Sequence, residues 1–117
     1  MKENVIKSKS FDFALRIIKL CKYLIDTKKE FVLSKQILRS GTSIGALIRE
    51  SEHAESTADF IHKLSIALKE ANETEYWLQL LYKSNLITEK EFESIKSDLT
   101  ELLKLLTSII KTTKSKK

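Results

Sequence analysis

The stretch FIHKLSIALKEANETEYWLQLL, residues Phe60–Leu81, carries the clearest signal of fold in the chain. Phe60, Leu64, Ala67, Ala71, Thr74, Leu78 and Leu81 recur there at alternating four- and three-residue steps. An α-helix turns through about 100° per residue, so this spacing sets them along one face, as the seam of a helix bundle requires. Just before it, Ser56-Thr57-Ala58-Asp59 supplies a serine N-cap with a carboxylate three residues on. This is close to a capping box, with Asp in place of the usual Glu.

On the carboxyl side, Ser84-Asn85 breaks the helix, and Thr88-Glu89-Lys90-Glu91 restarts it with a full capping box. Phe92, Ile95, Leu99, Leu102, Leu106 and Ile109 continue the seam, and Lys111 to Lys117 are expected to fray. On the amino side, a segment from near Ser34 to Ala54 has the core line Ile37, Gly41, Ile44 and Ile48, with small residues through Ser40–Ser43. Gly41 and Gly45 form a small-xxx-small pair, which in a soluble helix means close approach of a neighbouring helix. A first segment opens after Ser10, read as its N-cap, and places Ala14, Ile17, Ile18, Cys21, Leu24 and Ile25 on one face.

The expected helices therefore cover about 11–29, 35–54, 57–84 and 89–112, within one domain spanning residues 1–117 and bearing basic termini. The short loops force consecutive helices antiparallel. The fold class is all-α, an antiparallel up-down-up-down four-helix bundle. The absence of proline and the presence of only two glycines agree with this, since sheets and long turns need more such punctuation.

The 42% hydrophobic and 32% charged fractions provide enough apolar surface to bury a core and argue against disorder. No secretory signal begins the chain, and no apolar run approaches the ~20 residues that span a bilayer. Cys21 is the sole cysteine and reads as a buried, reduced thiol in a cytoplasmic protein. The net charge of +5 is unevenly spread: residues 1–30 carry eight Lys/Arg against four Asp/Glu. Such an excess attracts nucleic acid or an acidic protein, and equally keeps a small bundle soluble.

Candidate chemistry is sparse. Glu50-Ser51-Glu52-His53 has the Glu-x-x-His spacing of di-iron bundles, and Asp59-Phe60-Ile61-His62 resembles a degenerate copy. Asp59 is better used to cap its helix, while His62 falls off the seam and His53 projects with Arg49 and Lys35 on a polar face. No metal site, cofactor or catalytic residue is expected, since no nucleophile–base pair or glycine-rich phosphate loop is present.

Two surfaces stand out instead. Ile66, Glu70, Glu73, Trp77 and Leu80 fall together beside the main seam of the third helix. The fourth helix likewise spreads Leu102, Leu103, Leu105, Leu106, Ile109 and Ile110 over a wide arc. Surplus apolar surface with embedded carboxylates points to a subunit contact, with Glu70 and Glu73 meeting Arg39 or Arg49; the alternative is that Trp77 caps the bundle edge. The second surface is basic. Arg16, Lys19 and Tyr23, with Lys22 nearby, share the outer face of the first helix, and Lys35, Arg39 and Arg49 share another on the second. Each cation can meet a phosphate and Tyr23 can stack on a base, although any solvated helix face shows similar residues.

The segments Ser43–Glu50 (SIGALIRE), Ala58–Ala71 (ADFIHKLSIALKEA) and Glu73–Leu78 (ETEYWL) resemble a bacterial family. It is the family of four-helix bundle proteins encoded in intervening sequences of 23S ribosomal RNA genes, and the likeness runs from about Phe11 to Ile110. Its members commonly carry Asn where this chain has Leu47. The resemblance implies a homopentameric, barrel-like assembly and no established catalytic activity. A related branch serves reverse transcriptases of diversity-generating retroelements as accessory proteins with a basic surface. The expectation is a non-enzymatic homo-oligomer that binds RNA or DNA through basic helix faces, with no membrane association. The alternative is a protein–protein scaffold using the apolar surface of the third and fourth helices.

Overall fold

The computed structural model describes residues 2–116, which form four helices: α1 (Lys2–Asp26), α2 (Leu33–Ser51), α3 (Thr57–Lys83) and α4 (Glu89–Ser115). Cross-helix contacts fix the directions. Ile17 meets Gly41 and Ser10 meets Gly45, so α2 runs back along α1. Ser40 pairs with Thr74 and Glu50 with Lys63, so α3 reverses again. Arg16 reaches Asp98 and Lys9 reaches Glu101, which closes α4 antiparallel onto α1. The result is a four-helix bundle measuring 48 × 22 × 19 Å.

The core is the one expected for α2, α3 and α4. Ile37, Gly41, Ile44 and Ile48 are buried, as are Leu64, Ala67, Ala71, Thr74, Leu78 and Leu81, and Phe92 through Ile109 on the α4 line. Phe60 is half-buried against them. Thr74 and Ser40 share a hydrogen bond at 2.9 Å inside this core, which removes the cost of burying two hydroxyls.

The caps are equally local. Thr88 and Glu91 form the reciprocal box. Ser56 accepts from the Asp59 N–H at 3.0 Å, while the shorter Asp59 carboxylate accepts from the Glu55 N–H at 3.1 Å. Asn85, with φ 64°, ends α3 in a Schellman motif: Leu86 N–H donates to the Leu81 carbonyl and Asn85 N–H to that of Tyr82.

Helix α1 differs from expectation. It begins at Lys2, and Ser10 is an interior buried residue whose hydroxyl donates to the Lys7 carbonyl at 3.1 Å. Ile6, Phe13 and Leu20 join Ile17, Cys21 and Leu24 in the core, whereas Ile18 and Ile25 are exposed. The apolar arc of α1 is wider than the face its neighbours cover. At the other end of the chain, α4 stays helical to Ser115 rather than fraying from Lys111; Lys117 lies outside the described residues. Within those last turns Thr113 is half-buried, and its hydroxyl donates to the carbonyl of buried Ile109 at 2.7 Å.

Helix α2 starts at Leu33 without a cap from Val32. Glu30 does that work: its carboxylate accepts from the backbone N–H groups of Val32, Leu33 and Ser34 at 3.1, 2.9 and 2.8 Å. Burial raises the Glu30 pKa, but those amide bonds outweigh it and hold the carboxyl below its ordinary range.

Candidate functional site

The basic residues divide into held and free. Arg16 is bound to α4, with Nη1 2.7 Å from Asp98 Oδ2 and Nη2 donating to Ser94 Oγ at 2.6 Å. Arg39 is clamped from α3 by Glu73 and by Glu70, whose Oε1 lies 3.5 Å away. Arg49 lies over the Phe11 ring at 5.5 Å. Tyr23 is half-buried against the core, so most of its ring is not an open platform.

Lys19, Lys22 and Lys35 are exposed and make no ion pair among the described residues. Lys28 and Lys29, in the turn joining α1 to α2, share that condition and were absent from the sequence-based site. Their position beside the break between two helices is the signal that could have drawn attention to them. All five lie on the carboxyl-terminal part of α1, the turn and the first turn of α2, so they form one group at that end of the bundle. Lys69, Lys90, Lys104, Lys111 and Lys114 are also exposed without an ion pair among the described residues but are spread along α3 and α4.

The stripe Ile66, Glu70, Glu73, Trp77 and Leu80 is half-buried within a single chain, and its two carboxylates face Arg39 of α2. Trp77 Nε1 donates to Glu73 Oε1 at 3.3 Å, and its ring meets that of Tyr76 edge-on at 5.1 Å. Glu70 Oε1 is buried and lacks a hydrogen bond among the described residues, leaving Arg39 as its charge partner. On α4, Leu102, Leu106, Ile109 and Ile110 are buried, and Leu103 and Leu105 pack against the core. Leu47 of α2 packs against the core too.

The exposed apolar surface lies elsewhere. Phe11, Leu15, Ile18 and Ile25 run along α1, joined by Leu38 of α2. Their four- and three-residue spacing gives a strip on one helix face. Ile18 and Ile25 belong to it rather than to the core, because α2 and α4 cover only part of the α1 arc.

Elsewhere the structure is chemically quiet. His53 and His62 are exposed, and no group of three or more His, Cys, Asp or Glu able to hold a metal occurs among the described residues. Cys21 is pushed up to about 11, chiefly by burial and then by the charge of Glu30, and its Sγ donates to the Ser34 carbonyl at 3.2 Å. A thiol in that state is a packing residue. A cavity of about 520 Å³ at the opposite end of the bundle is floored by Ile6, Ile48, Phe60, Leu64 and Ile109. Its rim carries the Lys7–Glu52 ion pair at 3.1 Å. No described helix is long and apolar enough to cross a membrane.

A family model described as 23S rRNA-intervening sequence protein matches residues 2–108. No curated protein matches. Among solved structures, the chain is similar to a protein of unknown function from Bacteroides thetaiotaomicron VPI-5482, assigned to the S23 ribosomal protein family and determined at 1.70 Å. The identity is 66% over 95% of this chain and 99% of that one, with a TM-score of 0.94.

Proposed function

The chain belongs to the 23S rRNA-intervening sequence protein family, and from this we propose that it is a non-enzymatic, self-associating helical bundle that binds nucleic acid. The observation that carries the reading is the unpaired cluster of Lys19, Lys22, Lys28, Lys29 and Lys35 at one end of the molecule. Each such ammonium can neutralise a phosphate and release a condensed counterion. Arg16 and Arg39 contribute less directly, because a phosphate must first displace Asp98 or Glu73.

Self-association is supported by the α1 strip. From Phe11 to Ile25 it extends roughly 21 Å at the rise of an α-helix, and Leu38 widens it toward α2. A second copy of the chain would cover it together with Lys22, which lies between Ile18 and Ile25 on the same face. Repetition of the lysines left open, Lys19, Lys28, Lys29 and Lys35, around an assembly would strengthen the field felt by a polyanion. The homopentamer implied by the resemblance is one such assembly. The alternative, a scaffold that docks other proteins on α3 and α4, has less support, since Trp77, Leu103 and Leu105 already pack on their own core.

The test is affinity for a labelled, structured RNA as salt is raised. Binding should weaken steeply, with log K falling linearly in log salt. No detectable binding at low salt removes the nucleic-acid reading.

A further inference from the structure

Between α1 and α2 the chain displays Phe31 and Val32 at 60% and 70% exposure, the highest of the large apolar residues among the described ones. They are not on a loose loop. Lys29 takes a left-handed conformation at φ 54°, and the Glu30 N–H donates to the Leu24 carbonyl at 2.9 Å. The Glu30 carboxylate is tied to the three amides that open α2, and Ser34 Oγ donates to the Glu30 carbonyl at 2.8 Å. These bonds turn the one acidic side chain of the turn inward and hold the backbone that carries the exposed phenyl ring. Residues 19–35 carry five lysines against Asp26 and Glu30, and Glu91 of α4 lines one surface hollow with Lys28, so positive charge is in excess on this segment.

We infer that the α1–α2 turn is a stacking platform for an unpaired nucleotide, with Phe31 against the base and Lys28, Lys29 and Lys35 at the flanking phosphates. The inference rests on the nucleic-acid reading above and specifies its ligand as single-stranded or looped rather than paired. A base offers its face to an aromatic ring only when it is unstacked, and such contacts tolerate any sequence. With the backbone under the ring already ordered, binding has only the side-chain rotamer to fix. An anionic lipid surface would also attract the lysines, but anchoring there calls for a broad apolar helix face; the turn offers two apolar residues, and the broad strip on α1 is the surface assigned above to a second copy. The strip that a second copy would cover runs along α1 and α2, while Phe31 lies past their ends.

The experiment uses the full chain and two fluorescein-labelled RNAs with equal phosphate number: a hairpin with an unpaired loop and a blunt duplex. Phe31→Ala should weaken hairpin binding by at least about fivefold, the low end of a base–aromatic stack, and Phe31→Trp should restore it. The salt slope should stay unchanged, because no cation is removed. If wild type binds the hairpin with steep salt dependence and Phe31→Ala binds it equally well, the inference fails while the nucleic-acid reading stands. If wild type binds neither RNA, both fail. Loss of binding to phosphatidylserine vesicles in Phe31→Ala, with hairpin affinity intact, overturns the inference in favour of a lipid surface. A fall in solution mass in Phe31→Ala overturns it in favour of a contact between copies.

Discussion

A Cβ placed on Gly41 would stand 3.0 Å from both γ-carbons of Ile17, a side chain with no exposed surface. The small-xxx-small pair thus marks a close approach of α1 and α2, but its two members are unequal. A Cβ on Gly45 would meet Ser10 oxygens at 3.4 Å, an ordinary contact.

Gly41→Ala should therefore destabilise the bundle. Overpacking costs about 1–3 kcal/mol, and the helix gain from replacing glycine returns about 1 kcal/mol. Gly45→Ala should be neutral or stabilising by up to about 1 kcal/mol. Urea unfolding of both variants checks this, and the opposite ranking would refute the close-contact assignment.

The clamp of Arg39 on Glu70 and Glu73 makes a second expectation. Arg39→Ala leaves Glu70 Oε1 buried with neither a hydrogen bond nor its charge partner among the described residues. The exposed guanidinium screens the effect, so the loss should be about 1 kcal/mol. Adding Glu70→Gln should recover part of it by removing the uncompensated charge. A double-mutant cycle by denaturant unfolding measures the coupling; strict additivity would show that Glu70 does not depend on Arg39.

Glu30 predicts a pH dependence. Its folded pKa lies below the ordinary range, so the stabilisation it contributes is complete above the unfolded value of about 4.3. That contribution is lost as pH falls through the lower folded value. Glu30→Ala should cost about 1 kcal/mol near neutrality, as loss of a helix cap does. The difference between wild type and variant should shrink on acidification. A difference independent of pH would mean that the charged carboxylate is not what caps α2.

The α1 strip gives the assembly test. Leu15→Asp with Ile18→Lys places charges on surface that is open in one chain, so each bundle should fold with little change. In solution the mass measured by light scattering should drop to that of a monomer, since taking charged side chains out of water into an interface core is costly. If the mass matches wild type, the copies do not meet along this strip.

Much of this molecule is written in local patterns. The α3 and α4 seams follow from side-chain spacing, and the caps at Ser56 and Thr88 need only residues three positions away, so both are legible before folding. Opposite charges at Arg39 and Glu73 were equally readable as candidates. Their meeting was not, because 34 residues separate them in the chain. Arg16 looked like a free cation for the same reason, as its partners Asp98 and Ser94 belong to the last helix.

Helix α1 shows where pattern gives out. Ser10 suits an N-cap and suits a buried position inside a longer helix equally well; burial of Ile6 and Phe13 on either side of it makes it the latter. Ile18 and Leu20 are equally apolar, yet one is open and the other covered. Periodicity ranks residues around a helix by hydrophobicity and so establishes that a buried face exists. Which part of a wide apolar arc is buried, and which cations remain unpaired, depends on where the neighbouring helices come to rest.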